Sequence, residues 1–342
     1  MEHKLSKEVI AAQMEVMNHS VAPWQTQVLF SIFNIGIFEL LEKKPASSEN
    51  MAKSLGVPLE PLIRLADCGV ILGFLVKKKG LYYNGSVPRQ TLVKGKPGYM
   101  GNWLALAARW YHSFGKLTEA ICSNTSTEDV NFTNDSDYQY LFIKGMADYA
   151  NYRGKDILNY LDLSRSERIL DVGCGPAAYS VIFCRKYPDL SCVCLDLPHA
   201  VSIAEKYVAD NKMENRISFI SGDYKNIDFS GTGFNSAFDV AFLSHVLHQE
   251  NRVNCIKLLK KAYTALKPGG IIVIQAMFPD HKGFGSSFTA LHDLLAFLVF
   301  SHGKNHTLSD TDAWLKAAGF TDIRHCKMSL LNINSLMIGV KK

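Results

Sequence analysis

The sequence lacks the features by which membrane, nucleic-acid-binding and secreted proteins are recognised. No apolar run among its 342 residues reaches the roughly 18 that a membrane span needs. The start of the chain mixes charged and apolar residues at helical spacing, unlike the uninterrupted apolar core of a signal peptide. Its 37 basic and 32 acidic residues include no run of five like charges, so no footprint for nucleic acid stands out. We expect a cytoplasmic protein that binds neither membrane nor nucleic acid.

The eight cysteines do not have the spacing of a zinc finger or a disulfide framework. No pair stands as CxxC, and Cys192 and Cys194 alternate within an apparent strand. We therefore expect ordinary buried or half-buried thiols.

The chain is long enough for two domains, and the pattern of its first half is helical. A broad apolar face predicts a helix over Trp24 to Leu41, and "ASSENMAKSLGVPLEPLIRLADCGVILGFLVKKKGLYYNG" is typical of the helix, turn, helix and hairpin of a winged helix. The second of these helices, predicted over Pro58 to Phe74, has one arginine and much aliphatic surface, which favours packing against another chain over DNA. We expect residues 1–160 to form a winged-helix-like domain that makes a homodimer.

The second half alternates strands with helices, which predicts an α/β fold. A parallel sheet with helices on both faces follows from this alternation, as a Rossmann-like domain over residues 161–342. The predicted strands are Arg168 to Val172, Ser191 to Leu195, Arg216 to Ile220, Phe238 to Leu243 and Gly270 to Gln275, with a last strand near "NSLMIGVKK".

A glycine-rich turn follows the first of these strands in "RILDVGCGPAAYS". Gly173 and Gly175 allow a tight turn and a close approach of a ligand, although a GxGxxG/A pattern alone is a weak signal. Asp196, 21 residues after Gly175, ends the second strand, where a carboxylate accepts the hydroxyls of a ribose. Asp223 and Tyr224 in "SGDYKN" fit the edge and face of an adenine. The turn is thus predicted to bind a nucleoside cofactor.

Asp171 decides between two such cofactors. A carboxylate at the turn repels a pyrophosphate, whereas it suits the ammonium and sulfonium groups of S-adenosylmethionine. The methyl donor is therefore the predicted cofactor.

Four segments resemble the small-molecule O-methyltransferases, a family that includes plant phenylpropanoid, hydroxyindole and bacterial polyketide enzymes. They are "ILDVGCG", "LDLPHA", "SGDY" and "FLSHVLHQENRVNCIKLLKKAYTALKPGGIIVIQ", and "FNIGIFELL" and "FIKGMADYANY" are similar to the family's dimerisation domain and linking helix. The resemblance implies S-adenosylmethionine-dependent O-methylation of an aromatic hydroxyl, with a hydroxylated polyketide as the first expectation. It also implies that the cofactor is contacted by Gly173, Asp196, Leu197, Asp223, Tyr224 and Ser244.

The resemblance further implies that His248 in "SHVLHQE" is the catalytic base. A side chain that titrates near neutrality can take a phenol proton as the oxygen attacks. Three positions depart from the family pattern, because carboxylates are replaced by Gln249, Gln275 and Asn305, of which the last two match the residues that support the histidine. An amide orients the imidazole but offers no negative charge to an imidazolium, so His248 is expected to be a weak base or a positioning group.

Aromatic and sulfur side chains mark the expected acceptor pocket. Phe142, Met146 and Tyr149 lie at i, i+4 and i+7 of a predicted helix, and the resemblance places them against the acceptor, although the same spacing also fits a core face. The resemblance places Gln249, His292 and Phe300 there too. A flat, mostly apolar slot for a fused-ring phenol is the expectation.

Three alternatives stay open from the sequence. His248 and His292 match a pair that binds metal in some related C-methyltransferases, but such a site normally includes a carboxylate and Gln249 is a poor substitute, so no metal is predicted. S-adenosylmethionine could instead be bound without being consumed, its charge assisting a decarboxylation, hydroxylation or pericyclic step. A winged-helix regulator that senses a metabolite is the alternative of another class.

Overall fold

The computed structural model describes residues 6–231, 233–279, 286–328 and 333–342, without the side chain of Arg153. The chain forms two compact units, Met1–Ala108 and Arg109–Lys342. The helices of residues 109–160 thus share a unit with the large sheet, and the predicted functional division after residue 160 stays a prediction. Among the described residues no helix is long and apolar enough to cross a membrane. The predicted cytoplasmic location stays a prediction.

The first unit is mainly helical, with one hairpin between its fourth and fifth helices. Helices α3 and α4 and the hairpin follow one another in the order predicted for a winged helix. The elements are α1 (Lys7–Ile35), α2 (Ile37–Lys43), α3 (Ser48–Leu55), α4 (Leu59–Ile71), β1 (Leu75–Lys78), β2 (Leu81–Asn84), α5 (Ser86–Thr91) and α6 (Gly101–Gly115), the last of which ends in the second unit.

The helix predicted over Trp24 to Leu41 is wrong at one point, because the chain breaks it at Gly36. That residue has a φ of 89°, in the left-handed region that glycine adopts without steric cost, and its N–H caps α1 by donating to Ile32 and Phe33. Helix α2 starts directly afterwards. Both helices pack on one core that includes Ile32, Phe38 and Met51.

The second unit is built on a seven-stranded sheet of order β5-β4-β3-β6-β7-β9-β8. Its strands are β3 (Arg168–Val172), β4 (Ser191–Asp196), β5 (Ile217–Ser221), β6 (Phe238–Ser244), β7 (Leu266–Ala276), β8 (Thr321–Lys327) and β9 (Ser335–Val340). Its helices are α7 (Leu117–Ser123), α8 (Ser136–Arg153), α9 (Ala178–Lys186), α10 (Pro198–Asp210), α11 (Arg252–Ala265), α12 (Ser287–Val299) and α13 (Leu308–Ala317), with 3₁₀ turns at Gly154–Asn159 and Leu247–Gln249.

The predicted parallel sheet is confirmed for five strands, β3 to β7, and the last two strands depart from it. Strands β3 to β7 pair in parallel, whereas β9 runs antiparallel to both β7 and β8. The segment between Lys327 and Ser335 is too short for the crossover of a dozen or more residues that parallel pairing needs. Strand β8 was not predicted, because its polar, largely exposed residues do not look like a strand of a buried sheet.

Each face of the sheet has its own core, as the alternation of side chains along a strand requires. Leu170 and Val172 of β3 belong to the core that includes Leu258 of α11 and Trp314 of α13. Ile169 of the same strand belongs to the other core, which includes residues of α9 and α10. The helices therefore cover both faces, as predicted.

The parallel strands bring their carboxyl ends to one edge of the sheet. Register pairs Asp171 with Cys194 and Phe242 on the neighbouring strands, and Asp196 with Ser221. The residues that follow β3, β4, β5 and β6 therefore lie side by side, where open α/β sheets bind their ligands.

Candidate active site

The turn after β3 packs closely on the segment after β6. Gly173 has a φ of 67°, and a Cβ atom at this position would lie 2.7 Å from Cγ2 of Val246. Gly175, with a φ of 54°, has open space where its Cβ would be. Glycine at 173 thus permits a backbone approach that another residue would prevent, and Gly175 leaves the turn bare on one side.

Asp196 holds the same turn through its carboxylate. Its Oδ2 accepts the N–H of Gly175 at 2.6 Å, and its Oδ1 accepts the N–H of Leu197 at 2.7 Å. Burial raises the pKa of Asp196 to about 6, against the lowering effect of these two N–H groups. Each oxygen keeps a further lone pair for a ligand donor. Leu197, a predicted cofactor contact, caps the start of α10 here.

Asp171 is buried below the turn, with 2% of its surface exposed. Its Oδ2 accepts a hydrogen bond of 2.6 Å from the hydroxyl of Ser180. Burial raises the pKa of Asp171 to about 7, although the Ser180 bond opposes the shift and nearby Asp196 adds to it. A cation bound beside this carboxyl would favour its charged form.

Asp223 and Tyr224 follow β5 at the same edge. The Gly222 N–H donates to the carbonyl of Asp196 at 2.8 Å, which ties this turn to the end of β4. The hydroxyl of Tyr224 donates to Oε1 of Glu250 at 2.8 Å, and Glu250 is only 3% exposed. The predicted adenine residues therefore lie next to Asp196, and a buried carboxylate fixes Tyr224.

Lys261 secures the Tyr224 turn from α11. Its Nζ donates to the carbonyl oxygens of Tyr224, Lys225 and Ile227 at 2.7–2.8 Å. The sequence prediction missed both Lys261 and Glu250, because neither belongs to a motif of the glycine turn. The one signal is that Glu250 stands in "HQE" beside the predicted base.

These residues fit S-adenosylmethionine by the chemistry of their groups. Carboxylates at 171, 196 and 223 offer acceptors for an ammonium group, ribose hydroxyls and an adenine amine. Within the described ranges no Lys or Arg forms an ion pair with Asp171 or Asp196, so a cationic ligand would meet no competing side chain there. Ser244, the other predicted contact, ends β6 and donates to Oε1 of Gln275 at 3.3 Å.

His248 lies in the 3₁₀ turn after β6 and is 7% exposed. Its ring centroid is 5.0 Å from that of His292 on α12, 5.8 Å from that of His245 and 5.4 Å from that of Phe300. The turn is held by His306, whose Nε2–H donates to the carbonyl oxygens of Leu247 and Glu250, both at 3.0 Å. His248 therefore faces other rings from a turn that is fixed at both ends.

Gln275 and Asn305, expected to support His248, form hydrogen bonds with other residues instead. Asn305 Oδ1 pairs with Nδ1 of His292 at 3.0 Å, because α12 places His292 in its reach. Gln275 donates from Nε2 to the hydroxyl of Tyr179 at 2.9 Å. No hydrogen bond joins the His248 ring to any residue that the structure describes.

Gln249, predicted to face the acceptor, is bonded on both sides of its amide. Its Oε1 accepts from Nδ2 of Asn131 at 2.9 Å, and its Nε2 donates to the carbonyl of His245 at 3.1 Å. The amide thus links the segment after α7 to the residue that begins the turn.

All the imidazoles of this site favour the neutral form. Burial and the nearby His292, His245 and His306 hold the pKa of His248 well below its usual range. Burial likewise lowers the pKa of His292, and it lowers that of His245 to about 3. A neutral imidazole carries a free lone pair, so His248 can accept a proton, although weakly.

The predicted acceptor residues of α8 lie on one side of these rings. Phe142 is 6.3 Å from Phe300 and Tyr149 is 5.8 Å from His245, measured between ring centroids. Phe142, Met146 and Tyr149 are half-buried, whereas Ile143, Ala147 and Ala150 of the same helix are buried. The buried face of α8 is therefore not the face that carries Phe142, Met146 and Tyr149. This favours a pocket position for these three residues over a core position.

His245 was not predicted to belong to the site. It stands three residues before His248 in "SHVLHQE", with a φ of 55° that places it in the left-handed region. Its Nε2 is buried and has no hydrogen-bond partner among the described residues. The sequence signal is that this motif contains a histidine in addition to His248.

Comparison with known proteins agrees with this geometry. Residues 125–321, more than half of the chain, match the model of the O-methyltransferase domain. The 3-hydroxy-5-methyl-1-naphthoate 3-O-methyltransferase of Streptomyces sahachiroi is 30% identical over 93% of this chain and 92% of its own. The acetylserotonin O-methyltransferase of Bos taurus is 29% identical over 87% of this chain and 90% of its own.

The fold is also that of solved structures. Human N-acetylserotonin methyltransferase, crystallised in complex with S-adenosylmethionine, has a TM-score of 0.87 at 23% identity, covering 100% of this chain and 99% of its own. PigF with S-adenosylhomocysteine has a TM-score of 0.82 at 21% identity, covering 98% and 100%. The glycine turn, the acidic residues of the neighbouring strands and these matches agree, and the chain therefore belongs to the S-adenosylmethionine-dependent O-methyltransferase family.

Proposed function

We propose that this enzyme methylates a hydroxyl group of an aromatic small molecule, a fused-ring phenol of polyketide type, with His248 as general base or positioning group. The observation that carries this proposal is the close approach of Gly173 to Val246. It sets the donor turn against the segment that leads directly into His248. Donor and acceptor groups thus meet at one edge of the sheet.

The acceptor side supports an aromatic substrate. Phe142, Phe300 and Tyr149 surround the histidines with ring faces and edges, which favour flat apolar molecules with few polar contacts. The Streptomyces relative named above acts on a hydroxynaphthoate, and an enzyme of tetracenomycin polyketide synthesis from Streptomyces glaucescens is 23% identical over 96% of both chains. A two-ring or larger phenol is therefore the proposed acceptor class.

The donor side is proposed to bind S-adenosylmethionine, which supplies an electrophilic methyl group when bound. Asp196 would accept the ribose hydroxyls while keeping its bonds to Gly175 and Leu197. Asp171 would hold the ammonium end, and Tyr224, fixed by Glu250, would cover the adenine. Gly173, Gly175, Asp223 and Ser244 complete the proposed donor site.

His248 is proposed to take the acceptor proton on a ring nitrogen. Its burial keeps the imidazole neutral and ready to accept, and excludes water that would compete for the position. Gln249, Gln275 and Asn305 offer no negative charge to the resulting imidazolium. Holding the acceptor oxygen about 3 Å from the methyl carbon, in line with the breaking bond, then supplies much of the acceleration.

A homodimer is proposed from the first unit. Along α1, five apolar residues recur at spacings of four and three, which puts them on one face: Ile10, Met14, Met17, Val21 and Trp24. Met14 and Met17 are each 62% exposed and Trp24 is 68% exposed. A second copy of the helix would bury this stripe.

The acceptor class is tested by a transfer assay with labelled S-adenosylmethionine. We expect a hydroxynaphthoate to be methylated on oxygen with a kcat/KM roughly tenfold or more above that of a simple catechol, because burying a second ring contributes about 1.5–3 kcal/mol. Mass spectrometry locates the label. A substrate that is transformed without taking up label would contradict the proposed reaction.

The donor site is tested by replacing Asp196 with alanine. Affinity for S-adenosylmethionine should fall by about 1–3 kcal/mol, or roughly 5- to 150-fold, since buried N–H groups and ribose hydroxyls lose their acceptor. Asp210→Ala, at the exposed end of α10, is the matched control. Unchanged calorimetric affinity in the Asp196 variant would overturn this donor site.

The base is tested by His248→Ala, with exposed His325→Ala as control. Turnover should fall by roughly 10²–10⁴-fold while donor affinity stays unchanged. Because the pKa of His248 is lowered, the wild-type pH–rate profile should lose activity only well below pH 6.5, and this limb should be absent in the variant. A variant that keeps most of its turnover would show that His248 is neither the base nor a required positioning group.

The homodimer is tested by light scattering at micromolar concentration. The wild type should have twice the mass of one chain. Met17→Glu should lower the measured mass to that of a single chain, because a charge in the buried stripe has no partner. Val253→Glu, on an exposed valine of α11, is the control. A monomeric wild type would refute the assembly.

A further inference from the structure

Three histidines of the acceptor side converge on one point. His245 follows β6, His248 lies in the 3₁₀ turn and His292 comes from α12. Each offers one ring nitrogen, and these nitrogen atoms all lie within 4.8 Å of one another. Three ligands from two separate segments of the chain thus meet in a largely buried space.

His245 presents a ring nitrogen that nothing in the described chain satisfies. Its Nε2 is buried without a partner among the described residues, and a hydrogen bond to the side chain of Asn334 opposes the lowering of the ring's pKa by burial. A buried polar atom without a partner is unfavourable, because it has lost its hydrogen bond to water. The backbone of His245 is also left-handed, a conformation that is unfavourable for a residue other than glycine. A ligand at Nε2 would account for an otherwise unfavourable arrangement.

His292 is oriented so that its free nitrogen is an acceptor. The amide of Asn305 is fixed, because its Nδ2 donates to the carbonyl of Thr289 at 3.0 Å. Its Oδ1 can then only accept from Nδ1–H of His292, at 3.0 Å. The lone pair of His292 is therefore on Nε2. Ligating histidines in metal sites are typically held in this way through their other nitrogen.

The kind of cation follows from the ligand set. Neutral imidazoles suit Zn²⁺ and other divalent transition ions, whereas Mg²⁺ and Ca²⁺ need oxygen ligands, and among the described residues this cluster contains three histidines and no carboxylate. Zinc bonds to imidazole are about 2.0–2.1 Å, which places tetrahedral ligands about 3.3 Å apart. The present separations of up to 4.8 Å are thus at most about 1.5 Å wider than a bound ion would need.

We propose that His245, His248 and His292 form a three-imidazole site for Zn²⁺ or a divalent transition ion of similar preference. Three protein ligands leave a fourth position open, as in catalytic zinc sites. Tyr149 and Phe300 lie beside the cluster, so this position borders the proposed acceptor pocket. The third histidine replaces the carboxylate whose absence made the pair of His248 and His292 insufficient, and the sequence-based prediction of no metal is thereby revised.

The site goes beyond the proposed function and does not depend on it. A lone pair of His248 that is bonded to a cation cannot accept a proton at the same nitrogen. A bound ion would therefore leave His248 the positioning role that the proposed function also allows. The oxygen of an acceptor hydroxyl is a suitable fourth ligand.

The experiment is a metal titration of the full chain after removal of metals with EDTA. CoCl₂ should produce the visible absorption of four-coordinate Co²⁺ at one ion per chain, and ZnCl₂ should displace it. His245→Ala and His292→Ala should each weaken Zn²⁺ binding tenfold or more. Asn305→Ala, which removes the partner of a ligand, should weaken it about 10- to 100-fold. His325→Ala is the control and should bind as the wild type does.

Donor affinity, measured by calorimetry on the same proteins, separates the two proposals. A variant that binds S-adenosylmethionine normally is folded, so its loss of Co²⁺ absorption reports the metal site alone. Full Co²⁺ and Zn²⁺ binding by folded His245→Ala, or none by the wild type, would overturn the site. Asp196→Ala should lose donor affinity and keep full Co²⁺ and Zn²⁺ binding, which would support a metal site separate from the donor site.

Discussion

The close packing of Gly173 against Val246 is the constraint on which the arrangement of the site depends. The first residue belongs to the turn held by Asp196, and the second leads into the turn that carries His248. A Cβ at 173 would lie 2.7 Å from Cγ2 of Val246, closer than a Cβ atom normally approaches another atom, so the two turns or the Val246 side chain would have to shift. Because β3 and β6 are neighbours in the sheet, this single approach sets the separation between the groups around the donor and those around the acceptor.

Burial shifts the pKa values of the acids and of the histidines of the site in opposite directions, and both shifts favour the uncharged form. It raises the pKa of Asp171 to about 7 and that of Asp196 to about 6, and it lowers the pKa of every histidine near His248. At neutral pH the histidines are therefore uncharged, Asp171 is about half protonated and Asp196 is mostly ionised. A cationic donor would restore charge to the acids, whereas the histidines stay available as electron-pair donors.

Features that depend on residues close together in the chain were predicted correctly from the sequence. Features that depend on contacts between distant segments were not. The bounds of β3, the glycine turn and Asp196 follow from local pattern and turn chemistry, and the structure has them in place. The partner of Asn305 depends on where α12 lies, so assigning it to His248 by position was wrong. His245 and Glu250 were missed for a related reason, because only the folded chain shows that one is left without a partner and the other fixes Tyr224. The antiparallel end of the sheet was missed because β8 is an exposed edge strand without an apolar pattern.

Glu250 belongs at once to both halves of the site. Its carboxylate accepts from Tyr224 and pairs with Lys225, and its carbonyl accepts from His306, which also holds Leu247 beside His248. A ligand that orders Tyr224 therefore acts on a residue whose backbone also closes the histidine turn. Cooperativity between two ligands is reciprocal. If the first ligand changes the affinity for the second by some factor, the second changes the affinity for the first by the same factor. Glu250 would connect two such ligands directly, through its side chain on one side and its backbone carbonyl on the other.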